Sequence, residues 1–234
     1  MENALNPNIS RSRTIAGITG VLAIIFLISL VSSGPVLHAL HLTKVNAALF
    51  LVSRLLYWLC IVLLYLYARR VEKQDLLLYK EARYPFFTSL LSVVILLLII
   101  LGGSVVIGLL LKLAKLNQTS ARMQDILILF RQQPWLMVFT SLTAGITEEV
   151  VFRGYLQPRF DKLFRSSTAA ILVSSLLFGL LHFRYGTVAN MLLPFFIGLV
   201  FAVYYRRYHS LAVVVICHFL WDLGVSLLLM YQHR

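Results

Sequence analysis

The run F-F-T-S-L-L-S-V-V-I-L-L-L-I-I-L-G-G-S-V-V-I-G-L-L-L, from Phe86 to Leu111, contains no ionisable residue. As a helix rising about 1.5 Å per residue it exceeds the ~30 Å hydrocarbon core of a bilayer. Inside lipid only a helix or a closed barrel satisfies every backbone polar group, and the run is far longer than the ~10 residues of a barrel strand. It therefore reads as a membrane-spanning helix, and Gly102, Gly103 and Gly108 give it small surfaces for close helix packing.

Outward from this run the same pattern repeats. Apolar stretches occupy about Ile15–Leu37, Ala47–Ala68, Trp135–Gln157, Thr168–Phe183, Thr187–Tyr205 and Ser210–Met230. The expected fold is all-α: a polytopic transmembrane helix bundle of about seven spans, with eight possible, carrying an intramembrane polar site. Residues 1–133 supply N-terminal helices and interfacial connections, and 134–234 a catalytic core, all in one membrane domain. The first run follows Arg11 and Arg13 and contains Ser32-Ser33-Gly34, as a cleavable leader would, but it is too long for a leader's apolar region and reads as an uncleaved helix. Arg54, the one charge of the second run, is placed to snorkel to the surface. Arg69 to Pro85 is a polar connection that could form an interfacial helix, and the short patch Ile126–Phe130 is expected to lie along the interface.

Composition agrees. Of 234 residues, 60% are hydrophobic and 13% charged, with mean hydropathy +0.86; a soluble domain carries about 25% charged residues. This excludes a soluble globular domain and implies a multi-pass integral protein of the cell membrane. The net charge of +12 is spread over short interhelical segments. That distribution suits a lipid bilayer partner and excludes a nucleic-acid partner, which would need a basic stripe. An inside N-terminus puts more Lys and Arg on the inner segments. Cys60 and Cys217 lie within apolar runs and read as buried thiols.

Against this background T-E-E-V-V-F-R, Thr147 to Arg153, stands out, because a charge at bilayer depth costs at least ~2.5 kcal/mol. Glu149 and Arg153 are four residues apart, so on a helix they share a face with the acid first. Glu148 is rotated by about 100° and points elsewhere. His218 and Asp222 have the same spacing, which lets the carboxylate orient the imidazole and leaves its other nitrogen for a ligand or substrate. Phe178 stands four residues before His182 and can shape that imidazole's pocket. Carboxylates and imidazoles gathered in a low-dielectric site suit hydrolysis, with a carboxylate as base and imidazoles at a metal or an oxyanion. No H-E-x-x-H or G-x-S-x-G stretch is present.

E-E-V-V-F-R (Glu148–Arg153), F-G-L-L-H (Phe178–His182) and H-F-L-W-D (His218–Asp222), in this order in successive apolar runs, resemble the EExxxR, FxxxH and HxxxN/D motifs of the CPBP intramembrane proteases. That family includes type II CAAX prenyl endopeptidases and bacterial Abi and bacteriocin-immunity proteins. The resemblance covers about Trp135 to Leu228. It implies a membrane-associated peptide or protein substrate and a catalytic set of Glu148, Glu149, His182, His218 and Asp222, with Arg153 and Phe178 as structural partners. Glu148 would activate water beside His182, and His218 with Asp222 would act at the scissile carbonyl. The resemblance also implies a divalent metal such as zinc, with Glu148, His182 and His218 as ligands, or alternatively a glutamate mechanism without metal; both stay open. Asp222 departs from the asparagine of the CAAX enzymes and lacks an amide donor when ionised, which favours a histidine-orienting or metal-linked role.

The compact chain suggests the bacterial Abi branch, in peptide maturation or bacteriocin self-immunity. A proton-coupled transporter, or a noncatalytic immunity or scaffold protein, would also keep ionisable groups in its spans. A single site requires Glu148, His182, His218 and Asp222 to converge within a side-chain length.

Overall fold

A computed structural model of the protein describes residues 10–30, 39, 47–116 and 120–232. The tail before Ser10, the end of the first run with Ser32-Ser33-Gly34, and the loop at Lys44 lie outside the described residues, as does the side chain of Arg184. Regular structure among the described residues is entirely helical. In chain order it comprises α1 (Arg11–Leu30), α2 (Ala47–Tyr67), α3 (Phe86–Leu113), α4 (Ala121–Gln132), α5 (Pro134–Glu149), α6 (Gln157–Phe164), α7 (Ser167–Leu181), α8 (Ala189–Tyr208) and α9 (Leu211–Gln232).

Six helical stretches are long and apolar enough to cross a membrane, and α7, at 15 residues, is a shorter apolar helix. The protein is a multi-pass integral membrane protein. The expected fifth span is thus shorter than the rest: a 3₁₀ turn, His182–Tyr185, ends it.

Burial orders the bundle by polarity. The stretch Pro134–Phe164, which carries the charges, is 56% buried in its most apolar window, whereas Phe86–Leu113 is only 17% buried. The most apolar helix faces lipid and the most polar one lies at the centre, as expected where lipid solvates Leu well and charge poorly. Within α3, Gly103 faces the Phe196 ring, while Gly102 has open space around its Cα.

The central stretch runs past the boundary expected at Pro158. A π-helical turn, Val150–Leu156, links α5 to α6, and the Gln157 N–H reaches back five residues to the Phe152 carbonyl. The wider turn changes the register just before Pro158, whose missing N–H falls in the first turn of α6, where proline is tolerated. The helix therefore continues to Phe164.

A second π-helical turn, Ala68–Glu72, ends α2, and Lys73 at φ 54° turns the chain out of the helix. Residues 73–85 form no interfacial helix; they cross the end of the bundle as an irregular strap. Acids on and just before the strap tie it to the bundle, although Asp75 stays exposed. Glu72 accepts from Arg159 Nε at 3.0 Å and from the Tyr155 hydroxyl at 2.9 Å, with both charged side chains buried. Glu81 accepts from the Tyr205 hydroxyl and from the N–H of Leu211 at the start of α9, a favourable place for an acid. The Tyr79 hydroxyl donates to Asp161 at 2.7 Å. Burial, reinforced by that hydrogen bond, pushes the Tyr79 phenol well above its usual range. Backbone hydrogen bonding that a helix would supply is thus replaced by side-chain ties across 80 or more positions of sequence.

The α4 patch also differs from a purely interfacial helix. Ile126, Leu129 and Phe130 are buried against Phe50, Leu136 and Met137, so α4 docks on the bundle.

Arg159→Ala is expected to cost about 3 kcal/mol, because it leaves Glu72 buried without its cation. Arg69→Ala removes an exposed pair with Asp75 and is expected to cost under ~1 kcal/mol. Denaturant titration of the two detergent-solubilised variants measures the contrast.

Candidate active site

Glu149 and Arg153 are both fully enclosed, and Arg153 Nη1 donates to Glu149 Oε1 at 2.9 Å. The other terminal nitrogen donates to the Gly198 carbonyl at 3.1 Å, and the guanidinium lies 4.6 Å from the centre of the Phe178 ring. One turn further on, Gln157 Nε2 donates to the Ala202 carbonyl at 2.9 Å. The same face of the central stretch is thereby fastened twice to α8. Gly198 permits this approach: a Cβ there would lie 3.1 Å from Phe178 and 3.3 Å from the Arg153 guanidinium.

His218 Nδ1 donates to the same Glu149 oxygen at 2.7 Å, and its Nε2 lies 3.5 Å from Asp222 Oδ2. The approach of α9 that brings this imidazole in depends on Gly145, where a Cβ would stand 3.1 Å from the backbone of Val215 and of Phe219. The spacing-based pairing of His218 with Asp222 is present, but Glu149 takes the nitrogen expected to be free.

Glu148 points into a different space. His182 Nδ1 lies 2.8 Å from the Phe178 carbonyl, which can only accept, so this nitrogen carries the proton and Nε2 presents a lone pair. That nitrogen is 3.9 Å from Glu148 Oε2, with both side chains about one-quarter to one-fifth exposed. The two are level because both are counted from the turn at 165–166. Glu148 stands 16 residues before the end of α6, and His182 just follows the 15-residue α7. Had the helix stopped at Pro158, the pair would be out of register.

All seven residues selected from sequence therefore come together. Glu148 faces His182, while Glu149, Arg153, His218 and Asp222 form a linked chain beside them. The Phe178 ring lies between the two sets, with ring centres 4.8 Å from His182 and 6.0 Å from His218. A cavity of about 70 Å³ opens on the Glu148 side, and one of about 190 Å³, reached by Asp222 and Asn190, on the other. His182 and Tyr185 line both.

The donor set does not fit a metal in the expected way. Glu148 and the Nε2 lone pair of His182 converge, but both nitrogens of His218 face carboxylates. Among the described residues no group of three His, Cys, Asp or Glu is placed to hold an ion.

Residues 130–224 match the family model described as type II CAAX prenyl endopeptidase Rce1-like. The match covers less than half of the chain and supports the resemblance of this segment to the CAAX protease family. The three motifs all fall inside the matched segment, and the residues they contribute are those that converge here. The family it resembles is one of peptide hydrolases, which agrees with a site of carboxylates and imidazoles inside a multi-pass membrane protein. Comparisons with curated proteins and with solved structures give no significant match.

Some residues of this site escaped the sequence. Arg54, expected to snorkel, is half-buried against the Phe50 and Tyr57 rings and lines the Glu148 cavity with Arg122. Its one detectable signal was a lone charge in an apolar run.

Glu149→Gln is expected to cost about 3–5 kcal/mol, since it leaves the enclosed Arg153 cation unpaired. Asp222, whose side chain is 35% exposed, is expected to tolerate replacement by Asn at under ~1 kcal/mol. Thermal melts of the two variants in one detergent read the difference.

Proposed function

We propose that the chain cleaves a peptide bond of a membrane-associated peptide or protein, with Glu148 as the general base for water. The observation that carries this reading is the 3.9 Å between Glu148 Oε2 and the His182 lone pair. Two acceptors at that separation are too far apart to bond directly and suitably spaced for one water to donate to both. The water's oxygen lone pairs then face away from the pair, toward the cavity and an incoming carbonyl.

In the addition step Glu148 takes one proton from that water as its oxygen bonds to the carbonyl carbon. His182, fixed by the Phe178 carbonyl, keeps the water's other hydrogen aimed. The carbonyl π electrons move to oxygen. His218 acts here as the imidazolium, donating from Nδ1 to Glu149 and keeping on Nε2 a second proton that Asp222, at 3.5 Å, does not fully engage. It supports the oxyanion in place of the amide that an asparagine would offer. In the collapse step the C–N bond breaks and the leaving nitrogen takes the proton held by Glu148, which restores the base. Glu149 does not move protons in this scheme: it holds His218 and Arg153 in place.

Glu148→Ala is expected to lower the cleavage rate at least 100-fold, within the usual range for a lost general base, with an unchanged melting temperature. Retained cleavage by that variant would sink the mechanism. Because the step sequence uses protein groups alone, dialysis of the purified protein against a chelator is expected to leave cleavage intact. Loss that one divalent ion restores would instead make Glu148 and His182 ligands.

A further inference from the structure

The cavity beside Glu148 holds more positive charge than the hydrolysis above employs. Its walls include Arg54 from α2 and Arg122 from α4, and Glu148 is its only acidic residue. The rest of the lining is largely apolar, with Ile25, Ile28, Val151 and Leu181 among it. The Arg54 guanidinium is held in place by two rings, 4.9 Å from the centre of Phe50 and 5.1 Å from that of Tyr57. Its Nε contacts Ser53 Oγ at 3.4 Å, and no carboxylate among the described residues lies within ion-pair distance of it. Arg122 stands over the Tyr185 ring at 5.7 Å, on the wall that also carries His182.

Aromatic faces fix a guanidinium without neutralising it, and a cation in apolar surroundings gains most from an anion that shares its site. Glu148 does not fill that role for Arg54, being turned toward His182. Across His182 the larger cavity has Asp222 as its acidic residue, and its lining among the described residues holds neither Lys nor Arg. A peptide lying across His182 would therefore meet Arg54 and Arg122 on one side and Asp222 on the other.

We propose that Arg54 and Arg122 form a subsite for a carboxylate of the substrate on the Glu148 side of the scissile bond, and that this subsite fixes the direction in which the peptide lies. The proposal rests on the hydrolysis reading for the position of the scissile bond. A guanidinium fork matches a carboxylate in two parallel hydrogen bonds, which separates it from an uncharged amide of the same shape. The carboxylate comes from the chain terminus or from an Asp or Glu side chain next to the cleaved bond. In either case the subsite selects peptides by a group it does not cleave.

The test uses synthetic apolar decapeptides in three matched forms: free C-terminal acid without acidic side chains, the C-terminal amide, and the amide with one Asp scanned along the chain. Retention on detergent-solubilised full-length Glu148→Gln protein is quantified by mass spectrometry, and cleavage by the wild-type protein is measured in parallel. Carboxylate-bearing forms are expected to be retained about tenfold over the neutral amide, the scale of a charge-assisted pair. Whether the acid or the Asp form is enriched identifies the source of the carboxylate. Arg54→Met and Arg122→Met, checked by melting temperature, should bring the ratio within about twofold, and Arg54→Lys should restore part of it. Equal retention of acid, Asp and amide forms overturns the subsite, and that comparison needs no arginine variant. Cleavage by wild type without carboxylate preference leaves the hydrolysis standing and removes the subsite. Carboxylate-dependent retention without cleavage does the reverse.

Discussion

One oxygen of a buried carboxylate organises this protein. Glu149 Oε1 accepts from both Arg153 and His218, and the three side chains come from two helices and a π-helical turn. In a medium where an unpaired charge is strongly disfavoured, such an arrangement persists only while all partners stay in reach. It forces α9 against α5, and the second hydrogen bond of Arg153 forces α8 against the same stretch. The wall that faces the reacting groups is thereby fixed by Glu149 and Arg153, which need not touch a substrate. Glu148, one residue along and turned away, faces His182 instead, and the proposed chemistry uses it because its neighbour holds Arg153 and His218.

How much of this was legible depends on distance along the chain. The helical period ties Glu149 to Arg153, Phe178 to His182 and His218 to Asp222, and each of those contacts is present. Nothing in a helical period connects Glu149 to His218 across 69 positions, so the second nitrogen of His218 looked available when it is not. The ties of Glu72 to Arg159 and of Glu81 to α9 were hidden in the same way, inside a segment whose composition read simply as polar. Pro158 misled for a different reason. Proline ends an α-helix by its missing N–H, but a π-turn placed just before it changes which carbonyl would have been left unpaired.

Arg54 shows the limit of a one-dimensional hydropathy argument. Its distance from the end of its run allows the side chain to reach the surface, and the sequence carries no mark of which face of α2 it occupies. Two aromatic residues three and four positions away, Phe50 and Tyr57, set that face by packing on it. The strap over residues 73–85 makes the complementary point: acids can draw an irregular segment inward where apolar pattern alone would leave it at the surface.

The short α7 bears on a problem peculiar to hydrolysis in lipid, which is how water arrives. Fifteen residues extend about 22 Å, well under the ~30 Å of hydrocarbon. Beyond His182 the backbone up to Val188 is not α-helical, and such backbone survives at depth only where protein covers it or water reaches it. A helix too short to cross thus makes a notch in the bundle at the level of His182. In the proposed hydrolysis such a notch would let water reach Glu148 without a breach of the bilayer around α7.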